Sequence, residues 1–176
     1  FMKPFSLFGI VPPGLEKLAA SELNQLGFPH GKIEHGGIAF AAHQTGLFRL
    51  NSYSRIFSRF IIRFAQFHAD SFWELEKRCR ILPWENFIQN QKLKFRVHCK
   101  KSKLMHSKAI AERMIKAIAS RLQIPHLAAA EGEDDAQLII VNVAHDFFQV
   151  SIDSSGPICT NAVIGKNWGK RRYAKI

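Results

Sequence analysis

From Ser107 to Leu122 the apolar side chains Ile110, Ala111, Met114, Ile115, Ala117, Ile118 and Leu122 fall, at 100° per residue, on one broad side of a helix. Lys108, Glu112, Arg113, Lys116 and Ser120 fall on the other. A helix this one-sided must lay its stripe against other structure, so it commits the chain to a layered fold, with the Met and Ile stripe as core and not as a ligand pocket. Ser107 is the expected N-cap and Pro125 the stop. The flanking residues supply the layer. Before the helix, Leu93, Phe95, Val97 and Cys99 alternate with Lys92, Lys94, Arg96 and His98, the pattern of a half-buried strand with a basic outer face. After it, Leu138 to Val143 and Phe147 to Ile152 are strand runs joined around Ala144-His145-Asp146, which predicts a hairpin.

The first part of the chain is built in the same way. Phe5 to Val11 is a strand-length apolar run closed by Pro12-Pro13-Gly14. A helix follows, carrying Leu15, Leu18, Ala19, Leu23 and Leu26, with Pro13 suited to its start and Gly27 to a left-handed C-terminal cap. Ile33 to Phe40 offers a sheet for that stripe, with Gly36-Gly37 as a bulge or a turn between two short strands. Leu47 to Tyr53 reads as a brief helix. Arg55 to Phe67 fits two periods, because Arg55, Arg59 and Arg63 recur every four residues while Phe60, Ile62 and Phe64 alternate with Ile61, Arg63 and Ala65. The Phe and Ile content favours a strand over about Phe57 to His68. Arg59 and Arg63 then share a face, either flanking a groove or lying at a solvated sheet edge. Ser71 to Leu82 is a helix with Ser71 as N-cap, Glu74 in the capping-box position and Pro83 after the last turn.

Charge narrows the function. The 176 residues carry a net charge of +11, with 47% of residues hydrophobic, enough for a folded core. The excess is clustered: residues 51–100 carry +6, 101–125 carry +5, 126–156 carry −6 and 157–176 carry +5. Clustering of this kind suits a polyanion, since each phosphate neutralised by Lys or Arg releases counterions; an anionic membrane surface or a merely solvated basic surface would be alternatives. No run approaches the roughly 20 apolar residues that cross a bilayer, and the opening FMKPFSLFGIVPPG has no signal-peptide pattern, so a cytoplasmic protein without a membrane partner is expected.

Much chemistry is missing. Cys79, Cys99 and Cys159 are odd in number and far apart, which argues for thiols over a disulfide framework. The eight histidines form no zinc spacing, His98 beside Cys99 and then His106 coming nearest, so no metal site is expected. Glu131, Glu133, Asp134 and Asp135 do not match a calcium loop. G-x-G-x-x-G, G-x-x-x-x-G-K-[ST] and G-x-S-x-G are all absent, and Asp153-Ser154-Ser155 has no neighbouring oriented base, so no catalytic residue is assigned. What stands out instead is KKSKLMHSKAIAERMIKAI, Lys100 to Ile118, where a strand end meets a helix start. Free N–H groups and the dipole at a helix start attract anions, and Lys100, Lys101, Lys103 and Lys108 surround that point. A phosphate or an RNA end is the fitting ligand, a solvated lysine-rich turn the alternative. Arg113 and Lys116 extend the patch along the helix, and Arg171 and Arg172 form a second one in the tail.

Four stretches in order, PPGLEKLAASEL (12–23), SRIFSRFIIRFAQF (54–67), LPWENF (82–87) and KSKLMHSKAIAERM (101–114), resemble the amino-terminal half of RlmL-like RNA methyltransferases that carry a THUMP domain, and VSIDSSG (150–156) suits that family's final THUMP strand. The resemblance implies an α+β fold: an N-terminal ferredoxin-like subdomain packed with a THUMP α/β domain, in mixed sheets flanked by helices. It implies boundaries of 1–68 for the first unit, 69–156 for the THUMP core (44–155 on a broader definition) and 157–176 for a basic linker. In that family, methyl transfer from S-adenosylmethionine, usually to N2 of a guanine in ribosomal RNA, belongs to a Rossmann-like domain beyond the stretch seen here. No cofactor is therefore expected in this chain, and S-adenosylmethionine is expected for the parent enzyme. Arg171-Arg172-Tyr173 stands where the family has an R-G-Y-R-like element, in a longer and divergent setting. The implied partner is structured RNA, ribosomal RNA before tRNA, recognised by shape and backbone because the basic residues lack interleaved aromatics. A stand-alone THUMP adaptor, or a protein-interaction module with a basic face, is the rival reading.

Overall fold

The computed structural model describes residues 4–29, 31–88, 92–127 and 136–155. The elements run β1 (Phe5–Ile10), α1 (Glu16–Gln25), β2 (Lys32–Glu34), β3 (Gly37–Ala42), α2 (Gln44–Tyr53), β4 (Arg59–His68), α3 (Phe72–Ile81), a 3-10 turn (Trp84–Asn86), β5 (Leu93–Lys100), α4 (Ser107–Leu122), β6 (Gln137–Ala144) and β7 (Phe147–Asp153). All the strands among the described residues join one seven-stranded sheet in the order β2-β3-β1-β4-β7-β6-β5. Its first four strands and two helices follow the β-α-β-β-α-β order of a ferredoxin-like unit, with every pair antiparallel. In the second half α4 crosses between the parallel strands β5 and β6, and β6 returns through a hairpin to β7. The fold is α+β, as the resemblance implies. The two halves are not separate sheets, because β4 pairs with β1 on one side and with β7 on the other.

Alternation along the strands divides the sheet into two faces. One meets the helices: Leu7, Ile38, Phe60, Ile62, Ile139, Val141, Phe148, Val150 and Ile152 form a continuous core with Leu23, Leu47, Leu75, Met114 and Ile118. Trp84 is buried there and its indole N–H donates to the Cys79 carbonyl at 2.7 Å, so its one polar group is satisfied. On the other face Phe8, Ile10, Ile61, Leu138 and Ile140 form a smaller apolar cluster. Arg63 lies over the Phe8 ring at 4.5 Å and pairs with Glu34 at 2.6 Å, and Arg59 pairs with Asp153. Arg59 and Arg63 thus share a face as expected, but β4 is an interior strand and both guanidiniums are held by carboxylates. The register of β4 shifts between Arg63 and Ala65, which places Phe64 and Ala65 together against the core where strict alternation had separated them.

Most local expectations hold. Gly27 has φ +88 after α1, and Gly36 at φ +75 makes the turn between β2 and β3. The Ser71 side chain accepts from the Glu74 N–H at 3.3 Å, and the Glu74 carboxylate accepts from the Asp70 N–H at 3.2 Å. Ser107, the expected N-cap, is instead the first helical residue of α4. The cap position falls to His106, whose backbone is extended and whose side chain makes no capping bond. The acidic loop from Ala128 to Asp135 and everything from Gly156 onward, including Cys159, Arg171 and Arg172, lie outside the described residues.

Candidate nucleic-acid interface

Among the described residues strand β5 lies at the sheet edge and pairs with β6 alone. Leu93 is buried and Phe95, Val97 and Cys99 are half-buried, so this side of the strand is fixed by the core. Lys94, Arg96, His98 and Lys100 must then stand on the opposite face, where all four are exposed. At a rise of about 3.3 Å per residue, alternate side chains recur roughly every 7 Å, so the row is about 20 Å long. Its neighbours across the β6 register are Leu138, Ile140, Asn142 and Ala144, none of which carries charge. Among the described residues, no carboxylate pairs with any member of the row. Lys94, Arg96 and Lys100, unpaired among the described residues, exposed and carried on a rigid strand, can meet phosphates without first breaking an internal ion pair, with His98 between them as a polar contact.

The row runs into the lysine-rich turn. The Lys100 carbonyl accepts from the His145 N–H at 3.2 Å, and Lys101 turns the chain with φ 48. Asp146, at the hairpin tip, then binds the turn: its Oδ1 accepts from the Ser102 hydroxyl and from the Lys103 N–H, both at 2.7 Å. These two donors hold the Asp146 carboxyl below the ordinary aspartate value, the Ser102 hydroxyl contributing most. Lys103 Nζ reaches Asp70 at 2.9 Å, which lowers the Asp70 carboxyl and raises the Lys103 ammonium. The start of α4 beyond the turn has no acidic residue in its first turn and no capping side chain, and Lys108 stands there exposed.

The six basic residues singled out from this region therefore separate. Lys100, Lys101 and Lys108 are exposed around the turn and the helix start, without ion pairs among the described residues. Lys103 is engaged by Asp70. Arg113 ties α4 to α3, pairing with Glu76 at 2.8 Å and lying over the Phe72 ring at 5.5 Å. Lys116 is exposed further along α4, eight residues and so about 12 Å beyond Lys108. Lys94, Arg96 and His98 were legible as the basic side of an alternating strand but were not singled out, because the lysine density a few residues later is higher.

Burial pushes the Cys79 thiol up to about 12 and raises Cys99 as well, so neither is a ready nucleophile. Asp153 is held by Arg59, Ser154 donates to the Phe60 carbonyl at 2.7 Å and Ser155 to Asp153 at 2.8 Å, all of them structural bonds. Among the described residues no group of three metal-ligating side chains occurs. The turn of the β5-α4-β6 crossover, KSKLMH over 101–106 after Lys100, contains no glycine, unlike the glycine-rich turn with which a dinucleotide-binding fold meets a phosphate group. No helix among them is long and apolar enough to cross a membrane.

Comparison with known proteins agrees with this architecture. Residues 6–61 match the family described as the RlmL ferredoxin-like domain. The chain is 29% identical over 152 residues to slr0064 of Synechocystis sp., a protein whose name marks RNA methylation as an inferred activity, and the match covers 85% of this chain and 40% of that one. Over 121 residues it is 28% identical to the ribosomal RNA large subunit methyltransferase K/L of Syntrophotalea carbinolica, a match covering 68% of this chain and 17% of the relative. The solved structure of SMU.472, named by inference as a methyltransferase and complexed with SAH, superposes with a TM-score of 0.72 at 27% identity, over 87% of this chain and 42% of that one. The chain thus spans well under half the length of these relatives. Residues 6–61 are thus similar to the RlmL ferredoxin-like domain, and the chain is similar over most of its length to part of proteins named for RNA methylation.

Proposed function

We propose that this chain is the RNA-binding portion of an S-adenosylmethionine-dependent RNA methyltransferase of the cytoplasm, that residues 69–156 act as its THUMP domain, and that methyl transfer takes place in a part of the protein outside this chain. Ribosomal RNA is the proposed substrate, in keeping with the similarity to a ribosomal RNA methyltransferase, and N2 of a guanine is the target the resemblance implies. The observation that carries the reading is the row Lys94, Arg96, His98 and Lys100. It continues through Lys101 to Lys108 at the uncapped start of α4. A straight row of this kind reads the phosphate backbone, and structured RNA is recognised largely through backbone and shape.

The test is binding of a labelled RNA hairpin to the 176-residue chain, measured by fluorescence anisotropy across a salt series. The triple variant Lys94→Ala, Arg96→Ala, Lys100→Ala is expected to bind more weakly and to reduce the slope of log K against log salt by about 3, roughly one for each phosphate no longer neutralised. The three side chains are exposed and unpaired among the described residues, so the fold should be retained. An unchanged slope would remove β5 from the interface.

A further inference from the structure

A groove of about 480 Å³ opens between α1 and α2, lined by Glu22, Gln25, Leu26, Arg49, Tyr53 and Arg55. Its position follows from how the two helices end. Gly27, at φ +88, turns the chain sharply after α1, and Ser54 leaves α2 in an extended conformation. Glu22 joins the two ends: its carboxylate accepts from the Ser54 hydroxyl at 3.2 Å and from the N–H groups of Arg55 and Ile56 at 2.8 and 3.2 Å. Three donors therefore occupy the one acid of the groove. The cations are not occupied in this way. Arg49 and Arg55 are exposed and form no ion pair with the described residues, and an Arg49 guanidinium nitrogen lies 3.9 Å from the point where a Cβ on Gly27 would stand. Between them Tyr53 is 67% exposed, and its ring has no aromatic neighbour among the described residues.

A solvent-facing aromatic ring beside two free guanidiniums, in a concavity within the size range of small-ligand sites, has the parts needed to hold a nucleotide: a flat apolar face for a base and planar donors for a phosphate. Bases inside a duplex are stacked on both faces and cannot enter such a groove, whereas an unpaired base can. We propose that the groove holds one unpaired nucleotide of the bound RNA, its base stacked on Tyr53 and its phosphate met by Arg49 and Arg55. The inference rests on the RNA-binding reading above, but it concerns a separate place. The groove lies on the helix-bearing face beside β2 and β3, while the β5 row lies on the other face at the far edge of the sheet.

The 176-residue chain is titrated with two labelled hairpins of identical stem, one blunt and one carrying a four-nucleotide single-stranded extension. The extended hairpin is expected to bind about tenfold more tightly. Tyr53→Ala and the pair Arg49→Ala, Arg55→Ala should each abolish that preference and leave the blunt hairpin unaffected, while Tyr53→Phe, which keeps the ring, should retain it. The unchanged blunt affinity also shows that the variants remain folded. Equal affinity of the wild-type chain for the two hairpins, or a preference that survives Tyr53→Ala, would overturn the proposal. Weakening of both hairpins by the β5 variant with the ratio intact supports two separate contacts. A Tyr53-dependent preference that persists when the β5 variant changes nothing would sustain the groove and refute the β5 row.

Discussion

Asp146 shows how one residue converts a hairpin tip into a support for the basic turn. Its own φ of 61 and the φ of 52 at His145 place both hairpin residues in the left-handed region that two-residue turns of this hand require. That turn aims the carboxylate at Ser102 and at the Lys103 N–H, which fixes where the β5 row ends and the approach to α4 begins. Asp146 and Asp70 both bind protons more weakly in the folded chain, Asp146 through Ser102 and Asp70 through Lys103. Their contribution to stability is therefore present at neutral pH and is lost as the pH falls through about 4 and below. Lys103 is raised by the same Asp70 contact, so its share is lost only as the pH climbs past the ordinary lysine value of 10.5. The thermal midpoint should stay level from about pH 6 to 9 and drop in acid. Asp146→Asn should make that acid drop shallower, because the amide cannot be protonated, and an undiminished drop in the variant would show that the carboxylate contributes nothing. This coupling is invisible in the sequence, since Lys103 stands 33 residues from Asp70 and 43 from Asp146.

The helix starts show what local sequence can and cannot specify. At α3 the spacing Ser71 to Glu74 announces a cap, and the Ser71 side chain accepts from the Glu74 N–H as the spacing demands, while the Glu74 carboxylate reaches back one residue further, to the Asp70 N–H. At α4 Ser107 offers the same residue type, yet the chain arrives from a turn held by Asp146, and that turn leaves His106 with the extended backbone of a cap and Ser107 already helical. The two serines should therefore differ when removed. Ser71→Ala is expected to cost about 1 kcal/mol in urea denaturation, and Ser107→Ala no more than about 0.5 kcal/mol. Equal losses would restore Ser107 as a cap. α4 also starts without a side-chain cap, beside the exposed Lys108. The β5 row was legible for a simple reason: a strand with one buried side must present the other. That Arg113 is tied to Glu76, and Arg59 to Asp153, was not, because each pair joins elements that meet only in the folded sheet.

At the scale of the whole molecule, the junction between the halves decides whether they behave as one body. The ferredoxin-like unit was implied by the family resemblance, but nothing local in the sequence marks that β7 returns to pair along β4, because that pairing joins residues some 80 to 90 apart. The seam is dense. Ile62 faces Ile152, Phe67 and Phe148 stack with centroids 5.4 Å apart, and Ser154 bonds the Phe60 carbonyl through both its N–H and its hydroxyl. Ile152 is wholly buried here and also lies opposite Ile139 on β6, so it belongs to both halves at once. Ile152→Ala should remove about 2–5 kcal/mol, through the apolar burial it gives up and the cavity left behind. In a single cooperative sheet that loss must be felt everywhere. Tryptophan fluorescence, which includes Trp73 and Trp84 of the second half, and far-ultraviolet circular dichroism, which averages the whole chain, should therefore shift to lower urea by the same amount and remain superimposable. If fluorescence shifts while a later dichroism transition persists, the ferredoxin-like half survives the loss of its neighbour, and β4 is a boundary between two independently folding units instead of the strand that unites them.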